Sequence, residues 1–530
     1  MKKNIYFYLC AALLTMTLTG CFDDDSSTGY EAIKETTISG IEETYVKTAY
    51  VGERLVINPE VKSSYSDSQM TYTWLLLDNS TGNKDKEGNV VEPVVIGNTK
   101  NLDYEVALAP GTYQVRLMAS AADNGYSVYA TTTLTVRTLF SQGFYILKKT
   151  ADGNTDLDLL TLDGQHGENL IAQVDGKSLE GSPVSLYPNY LMNYINTDND
   201  KIESTNSVTV TTDRKVINVR RVSDFTSIFS RENICFDEMD ADEQPYATTL
   251  SPTFGYMMML TSKGLYNAAS SSMSDSSTGQ FGMPVSECGG SLYFYIDNVN
   301  YGCGAIWDAT SHSLKAYNFN FEFSPLCYFD MTGEEQTQNL TNFECLHCGF
   351  NALAGTTTGI FVLHDNKTGN RYLYLTEGSF LGVNLSQRIQ LPSDSHASRA
   401  TSYSTNGISA SYLYCIDGGK LYAYVFNSGD NSEVELKPEG IPSDETIVYV
   451  TNQYWNPTFS PGTPFDYLVV ATQKGNSYKL YFYETNGGAP IGKPVMTTTG
   501  EGYVKAVRFI NDGYDTTDCI FGTQVYNIND

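Results

Sequence analysis

Residues 412–426 read Tyr-Leu-Tyr-Cys-Ile-Asp-Gly-Gly-Lys-Leu-Tyr-Ala-Tyr-Val-Phe. Two apolar, tyrosine-rich runs flank Asp417-Gly418-Gly419, and such residues accept the positive φ that a tight antiparallel turn imposes. The segment therefore reads as a β-hairpin, and the same unit recurs along the chain. Gly143–Leu147 is followed after a polar turn by Leu157–Leu162. Ser207–Val210 turns at Asp213-Arg214 into Val216–Val219, and Phe254–Leu260 turns at Ser262-Lys263-Gly264 into Leu265-Tyr266. Leu292–Ile296 is answered by Leu314–Phe319, Ile360–Leu363 by Tyr372–Leu375, and Tyr467–Ala471 by Tyr478–Tyr483.

Recurrence at roughly 35–70 residues, with room for four strands per repeat, is the signature of a β-propeller. Seven hairpins suggest seven blades; six or eight stay open because the period is irregular, and stacked β-sandwiches are the competing architecture. Gly502–Ile510 and Asp518–Thr523 are expected to close the ring against strands near Phe140. Helical periodicity is sustained nowhere, so the fold class is all-β.

Upstream of Arg137–Phe140 the pattern changes. Tyr72-Thr73-Trp74-Leu75-Leu76 reads as a half-buried strand carrying a core tryptophan. Gly111–Ala119 alternates cleanly, and Ala130–Val136 follows the Asp123-Asn124-Gly125 turn. This spacing indicates a small β-sandwich over residues 31–137, ahead of a propeller-like domain over 140–530. The YTW strand, the Gly-Thr-Tyr strand and the Asp-Asn-Gly turn resemble PKD-like, immunoglobulin-type domains, although the usual aspartate-rich opening is missing. The resemblance implies a module that spaces or presents another domain.

Residues 1–25 read MKKNIYFYLCAALLTMTLTGCFDDD. Lys2 and Lys3 precede an apolar stretch that is too short to span a bilayer. It ends in Leu18-Thr19-Gly20-Cys21, which resembles a bacterial lipobox. That resemblance implies a signal peptide over 1–20 and acylation of Cys21. More than one acyl chain would anchor the protein stably, at about 0.8 kcal/mol per buried methylene. The tether over 21–30 begins Phe22-Asp23-Asp24-Asp25, which resembles the export signal of Bacteroidetes lipoproteins displayed on the outer face of the outer membrane. No later run is long and apolar enough to suggest a transmembrane helix.

The chain carries 33 basic and 61 acidic residues, a formal net charge of −28. Such a surface repels nucleic acid, which is not an expected partner. Among the five histidines (His166, His312, His347, His364 and His396) no metal-ligand spacing occurs, and no GxSxG elbow or phosphate-binding glycine loop is present. The expectation is a protein that is not an enzyme and needs no cofactor. Asp152, Asn154, Asp156 and Asp158 place oxygens at alternate positions as calcium loops do, but the following glycine and bidentate glutamate are absent, so solvated turns are the other reading. Cys345-Leu346-His347-Cys348 has CxxC spacing without a second pair for zinc or a βαβ context for redox chemistry, which favours a buried or locally bridged pair.

Aromatic rings supply the candidate binding surface. Tyr301 and Trp307 lie in one segment, and Tyr454 and Trp455 lie in Asn452–Pro457, which reads as an exposed loop. These rings either stack on ligand or fill the core. In its layout the whole chain resembles Bacteroidetes surface lipoproteins that accompany SusC/SusD-type nutrient importers. The resemblance implies an accessory subunit that captures oligosaccharide or peptide and works with a SusC-like TonB-dependent transporter and a SusD-like lipoprotein. A surface glycan- or peptide-degrading enzyme and a structural or adhesion protein are the alternatives.

Overall fold

The structure is a computed structural model that describes residues 35–48, 53–78, 92–108, 111–122, 125–197, 200–251, 255–271, 273–274, 276–285, 291–297, 299, 302–317, 323–329, 335–379, 382–429, 432–457, 463–510, 523–524 and 527. The chain divides into two compact units, Met1–Val136 and Arg137–Asp530. Both are built from antiparallel strands, and the fold class is all-β.

In the first unit Met70–Asp78, Gly111–Ala121 and Ser127–Arg137 form the centre of a five-stranded sheet, flanked by Thr44–Thr48 and Val94–Gly97. Arg54–Ile57 pairs separately with Leu102–Glu105. Period-2 alternation sends Val115 and Leu117 inward with Trp74 and Leu76, to meet Leu55, Ile57 and Leu102. Trp74 is fully buried, and its indole N–H donates to the Thr99 carbonyl at 3.0 Å, so the large ring is packed and its one polar atom satisfied.

The second unit contains, among the described residues, seven successive sheets of three or more strands. Sheet one joins Tyr503–Ile510 to Gly143–Lys149, Thr155–Leu160 and His166–Gly167. Sheets two to seven begin with Pro183–Asn196, Pro245–Ser251, Phe294–Ile296, Phe343–Asn351, Ser402–Thr405 and Thr446–Asn456, and each continues as a meander. Five of these six strands and Tyr503–Ile510 sit at one edge of their sheets, and Thr446–Asn456 is bordered there only by the two-residue strand Thr523–Gln524; consecutive ones neighbour each other from sheet four round through seven and one to three. We call them the axial strands.

Burial on both faces explains why residues 412–426 show no polar alternation. Leu413, Cys415, Tyr422 and Tyr424 pack toward sheet five, whereas Tyr414, Ile416, Leu421 and Ala423 pack toward sheet seven. Sheet one repeats the pattern, with Phe144 and Ile146 against sheet seven and Tyr145 and Leu147 against sheet two. Each sheet is thus a filling between two others, and a near-continuous apolar run is what that position demands.

Polar side chains tie the sheets at one level. Asn351 Nδ2 donates to the carbonyls of Asn406 (2.7 Å) and Ala410 (3.0 Å), joining sheet five to the end of sheet six's axial strand. The Gly407 N–H donates to Asn452 Oδ1 at 3.0 Å, joining six to seven. The Phe509 and Val507 N–H groups donate to Gln453 Oε1 and Tyr449 Oη, both at 2.9 Å, joining seven to one.

Three expectations need correction. Leu292–Ile296 does not pair with Leu314–Phe319: Gly304–Asp308 intervenes and pairs with both strands. A Cβ at Gly304 would lie 2.2 Å from the Tyr295 carbonyl, so the strand requires a residue with poor strand propensity. Asn452–Pro457 is not an exposed loop, because Thr446–Asn456 is a strand paired to Phe465–Lys474. Tyr503–Ile510 does pair with Gly143–Lys149, but Thr523–Gln524 pairs with Trp455 and Asn456 instead of strands near Phe140.

Candidate functional site

The two tryptophans singled out from the sequence do not form a surface. Trp455 is 1% exposed, with its ring against Phe509 (5.1 Å between centroids) and Phe465 (5.9 Å). Trp307 is 3% exposed within the core between sheets four and five. Neither ring can stack on a ligand arriving from solvent, and both belong to the packing they stabilise. Tyr454 is half-buried, and burial raises its hydroxyl pKa, with a smaller contribution from Asp466. Tyr301 and Cys21 lie outside the described residues.

The four calcium candidates are engaged by protein donors. Asp152 accepts from Thr150 and from Asn154 Nδ2, and Asn154 Oδ1 accepts the Gly181 N–H at 3.3 Å. The buried Asp156 accepts the Ile171 (2.9 Å) and Ala172 (3.2 Å) N–H groups at the start of the helix Leu170–Asp175, and the Ser178 hydroxyl (2.6 Å). Asp158 accepts from Lys148 Nζ (2.8 Å), the Asn169 N–H (2.7 Å) and the Tyr478 hydroxyl (2.6 Å). Hydrogen-bond donors surround these oxygens where a cation would need bare acceptors. Cys345 and Cys348 are buried on one axial strand, and burial raises the Cys345 pKa far above the ordinary range.

A cavity of ≈ 460 Å³ opens where several axial strands begin. That volume lies in the range of small-molecule sites. Tyr293 borders it beside sheet four, His347 and Arg371 come from sheet five, Tyr403 from sheet six and Lys505 from sheet one. Leu292, Leu346, Arg399 and Ala400–Ser402 complete the lining.

Arg371 is held by neutral acceptors: its Nη1 donates to the Ala400 carbonyl at 2.6 Å and to Tyr403 Oη at 2.7 Å. Its guanidinium carbon stands 5.9 Å from the Tyr403 ring centroid. Lys505 is exposed to the cavity yet walled by protein, so desolvation lowers its pKa and Arg508 lowers it further. Arg399 is already paired, with Nη2 3.2 Å from Asp417 Oδ2. His347 is 2% exposed, and burial lowers its pKa to about 3, so the ring is neutral at physiological pH. Its Nε2 sits 2.9 Å from Thr405 Oγ1. Burial raises the hydroxyl pKa values of Tyr293 and Tyr403 to about 12, and both stay protonated.

One level deeper, Asn527 bridges three axial strands. Its Oδ1 accepts the Phe350 N–H at 2.7 Å, its Nδ2 donates to the Phe350 carbonyl at 3.1 Å, and its own carbonyl accepts from Arg508 Nη2. A longer contact of 3.4 Å reaches the Thr405 carbonyl. Phe350, Thr405 and Arg508 each lie three residues beyond a cavity residue (His347, Ser402 and Lys505), which at ~3.3 Å per residue puts Asn527 about 10 Å further along these strands than those lining residues. Gly349 admits this arrangement: a Cβ there would stand 2.5 Å from Thr405 Oγ1 and 3.1 Å from Asn527 Oδ1.

The lining was not singled out from the sequence, because Arg371, Tyr403 and Lys505 are isolated in sequence and meet only through the sheet order. One signal was available. Thr405-Asn406-Gly407 and Thr451-Asn452-Gln453 repeat a Thr-Asn step at the level where neighbouring sheets are tied.

Among known proteins, the model of the PKD-like family matches residues 21–183, which takes in the described strands of the first unit and the opening strands of the second. No curated protein matches. Solved structures similar to this chain include a quinonprotein alcohol dehydrogenase-like protein from Bacteroides thetaiotaomicron, at 14% identity over 88% of this chain and 96% of that one, with a TM-score of 0.39. The AfRom2 CNH domain is similar at 9% identity over 56% of this chain and 89% of that one, with a TM-score of 0.34. BamB from Moraxella catarrhalis is similar at 12% identity over 61% and 82%, with a TM-score of 0.23.

Proposed function

We propose that the protein is a lipoprotein anchored through Cys21 on the outer face of the outer membrane, where it captures oligosaccharide or peptide as an accessory subunit of a SusC/SusD-type importer. In this reading the second unit is a seven-bladed propeller, closed by the pairing of Gly143–Lys149 with Tyr503–Ile510. The PKD-like unit carries it away from the membrane. The capture step needs neither a catalytic residue nor a cofactor. The observation that carries the reading is the ≈ 460 Å³ cavity with Tyr293, Arg371, Tyr403 and Lys505 on its walls. Aromatic faces and fixed charges around a preformed concavity are what ligand capture requires.

Two measurements test it. Protease added to intact cells should degrade the protein, and Cys21→Ala should release it from the membrane fraction; protection from protease would refute surface display. Affinity capture from solubilised outer membranes should recover a SusC-like barrel. Its absence, or the appearance of cleaved products when the purified protein meets glycan and peptide mixtures, would count against a non-catalytic accessory subunit.

A further inference from the structure

We propose that the cavity receives the free C-terminal carboxylate of a peptide, end-on, with Arg371 gripping it through Nε and Nη2 and Lys505 supplying the second charge. The inference rests on the capture reading above and narrows its ligand.

Three observations lead to it. The first is charge. In a chain of net charge −28, Arg371 and Lys505 border one cavity, and neither has an ion-pair partner among the described residues. Acidic groups outnumber cations almost two to one along the sequence, so two cations without an ion-pair partner among the described residues mark a place kept for an anion from outside. Arg371 is also oriented in advance. Ala400 and Tyr403 engage Nη1 alone, so Nε and Nη2 donate to no described residue. That edge of a guanidinium is the one that matches a carboxylate bidentately.

The second observation is what the lining lacks. Among the described residues it contains no Asp, Glu, Asn or Gln. Sugar hydroxyls donate as well as accept, and a saccharide site supplies such acceptors; so does a site for a peptide's ammonium end. Here the cations sit beside Leu292, Leu346, Ala400 and the rings of Tyr293 and Tyr403. A carboxylate attached to an apolar last residue matches both halves of that wall. A uronic acid matches only the charged half.

The third observation is depth. Asn527 binds across Phe350, Thr405 and Arg508 beneath the cavity, so an extended chain finds a floor and cannot thread through at that point. A blind well reads chain ends.

The test is calorimetric titration of the purified full-length lipoprotein in detergent with a pool of N-acetyl tripeptides bearing free C-termini, the matched C-terminal amides, and a disaccharide ending in glucuronic acid. The acids should bind about 10-fold or more tightly than the amides, as loss of a charge-assisted bidentate contact implies. Arg371→Gln should erase that difference. Lys505→Met, a change on the cavity wall that breaks no described hydrogen bond, should weaken acid binding while leaving the thermal midpoint unchanged. Equal binding of acids and amides, tighter binding of the uronate, or no peptide binding would each overturn the inference. Recovery of a SusC-like barrel alongside any of these results would leave the accessory-subunit reading standing without it.

Discussion

Lys148 Nζ lies 2.8 Å from Asp158 Oδ1 on adjacent strands of sheet one, with side chains 1% and 0% exposed. Sheet seven supplies a further partner, because the Tyr478 hydroxyl donates to the other oxygen of Asp158 at 2.6 Å. The buried charges are therefore matched and both carboxylate oxygens are hydrogen-bonded, which is the condition under which an interior ion pair is tolerated.

Removing one member should be costly. Lys148→Met leaves a buried carboxylate without its cation, and the expected loss is about 3–5 kcal/mol of unfolding free energy, read from urea denaturation. Lys148→Met combined with Asp158→Asn should recover part of the loss. A single variant as stable as the parent would show that water reaches Asp158.

Acid should weaken the protein through His347. Its folded pKa of about 3 lies below the ordinary 6.5, so the unfolded chain takes up the proton first. Stability from this residue is complete above pH 6.5 and is lost progressively as the pH falls toward 3, at up to ~1.4 kcal/mol per unit. Between pH 7 and pH 5 the parent should lose about 2 kcal/mol more than His347→Gln, measured as the difference in urea midpoints. Equal losses would place solvent at the imidazole.

At the junction of sheets five and six, Gly349→Ala should destabilise by about 1–3 kcal/mol, because the added methyl meets Thr405 Oγ1 at 2.5 Å. Thr405→Ala removes that obstacle. The double variant should be more stable than the sum of the single changes implies, a coupling that a double-mutant cycle measures.

Trp455→Ala should lower stability by about 3–5 kcal/mol, as expected for emptying a core site of that size. Trp455→Phe should cost less. The indole Nε1 is buried without a hydrogen-bond partner among the described residues, so the phenyl ring discards an unsatisfied donor together with some volume. Thermal unfolding of the two variants separates these outcomes.

The hairpins were legible wherever a turn of Gly, Asp or Asn separated two apolar runs, as at Asp417-Gly418-Gly419. Sheet four was misread because close approach to Tyr295 forces glycine into Gly304–Asp308, and composition argues against a strand there. The same pressure of packing disguised Trp455. Polar neighbours such as Asn452 and Gln453 suggested a loop, yet their amides tie one sheet to the next. The cavity was illegible for another reason. Arg371, Tyr403 and Lys505 share no local pattern, and only the pairing of strands distant in sequence assembles them.

The pairing of Gly143–Lys149 with Tyr503–Ile510 has a consequence for biogenesis. A nascent chain that has delivered every sheet up to Glu501 still presents a bare, hydrophobic strand edge, open to any β-prone neighbour. Completion of the second unit must therefore wait until Ile510 has been synthesised. A truncation before Tyr503 leaves that edge unpaired and is expected to aggregate.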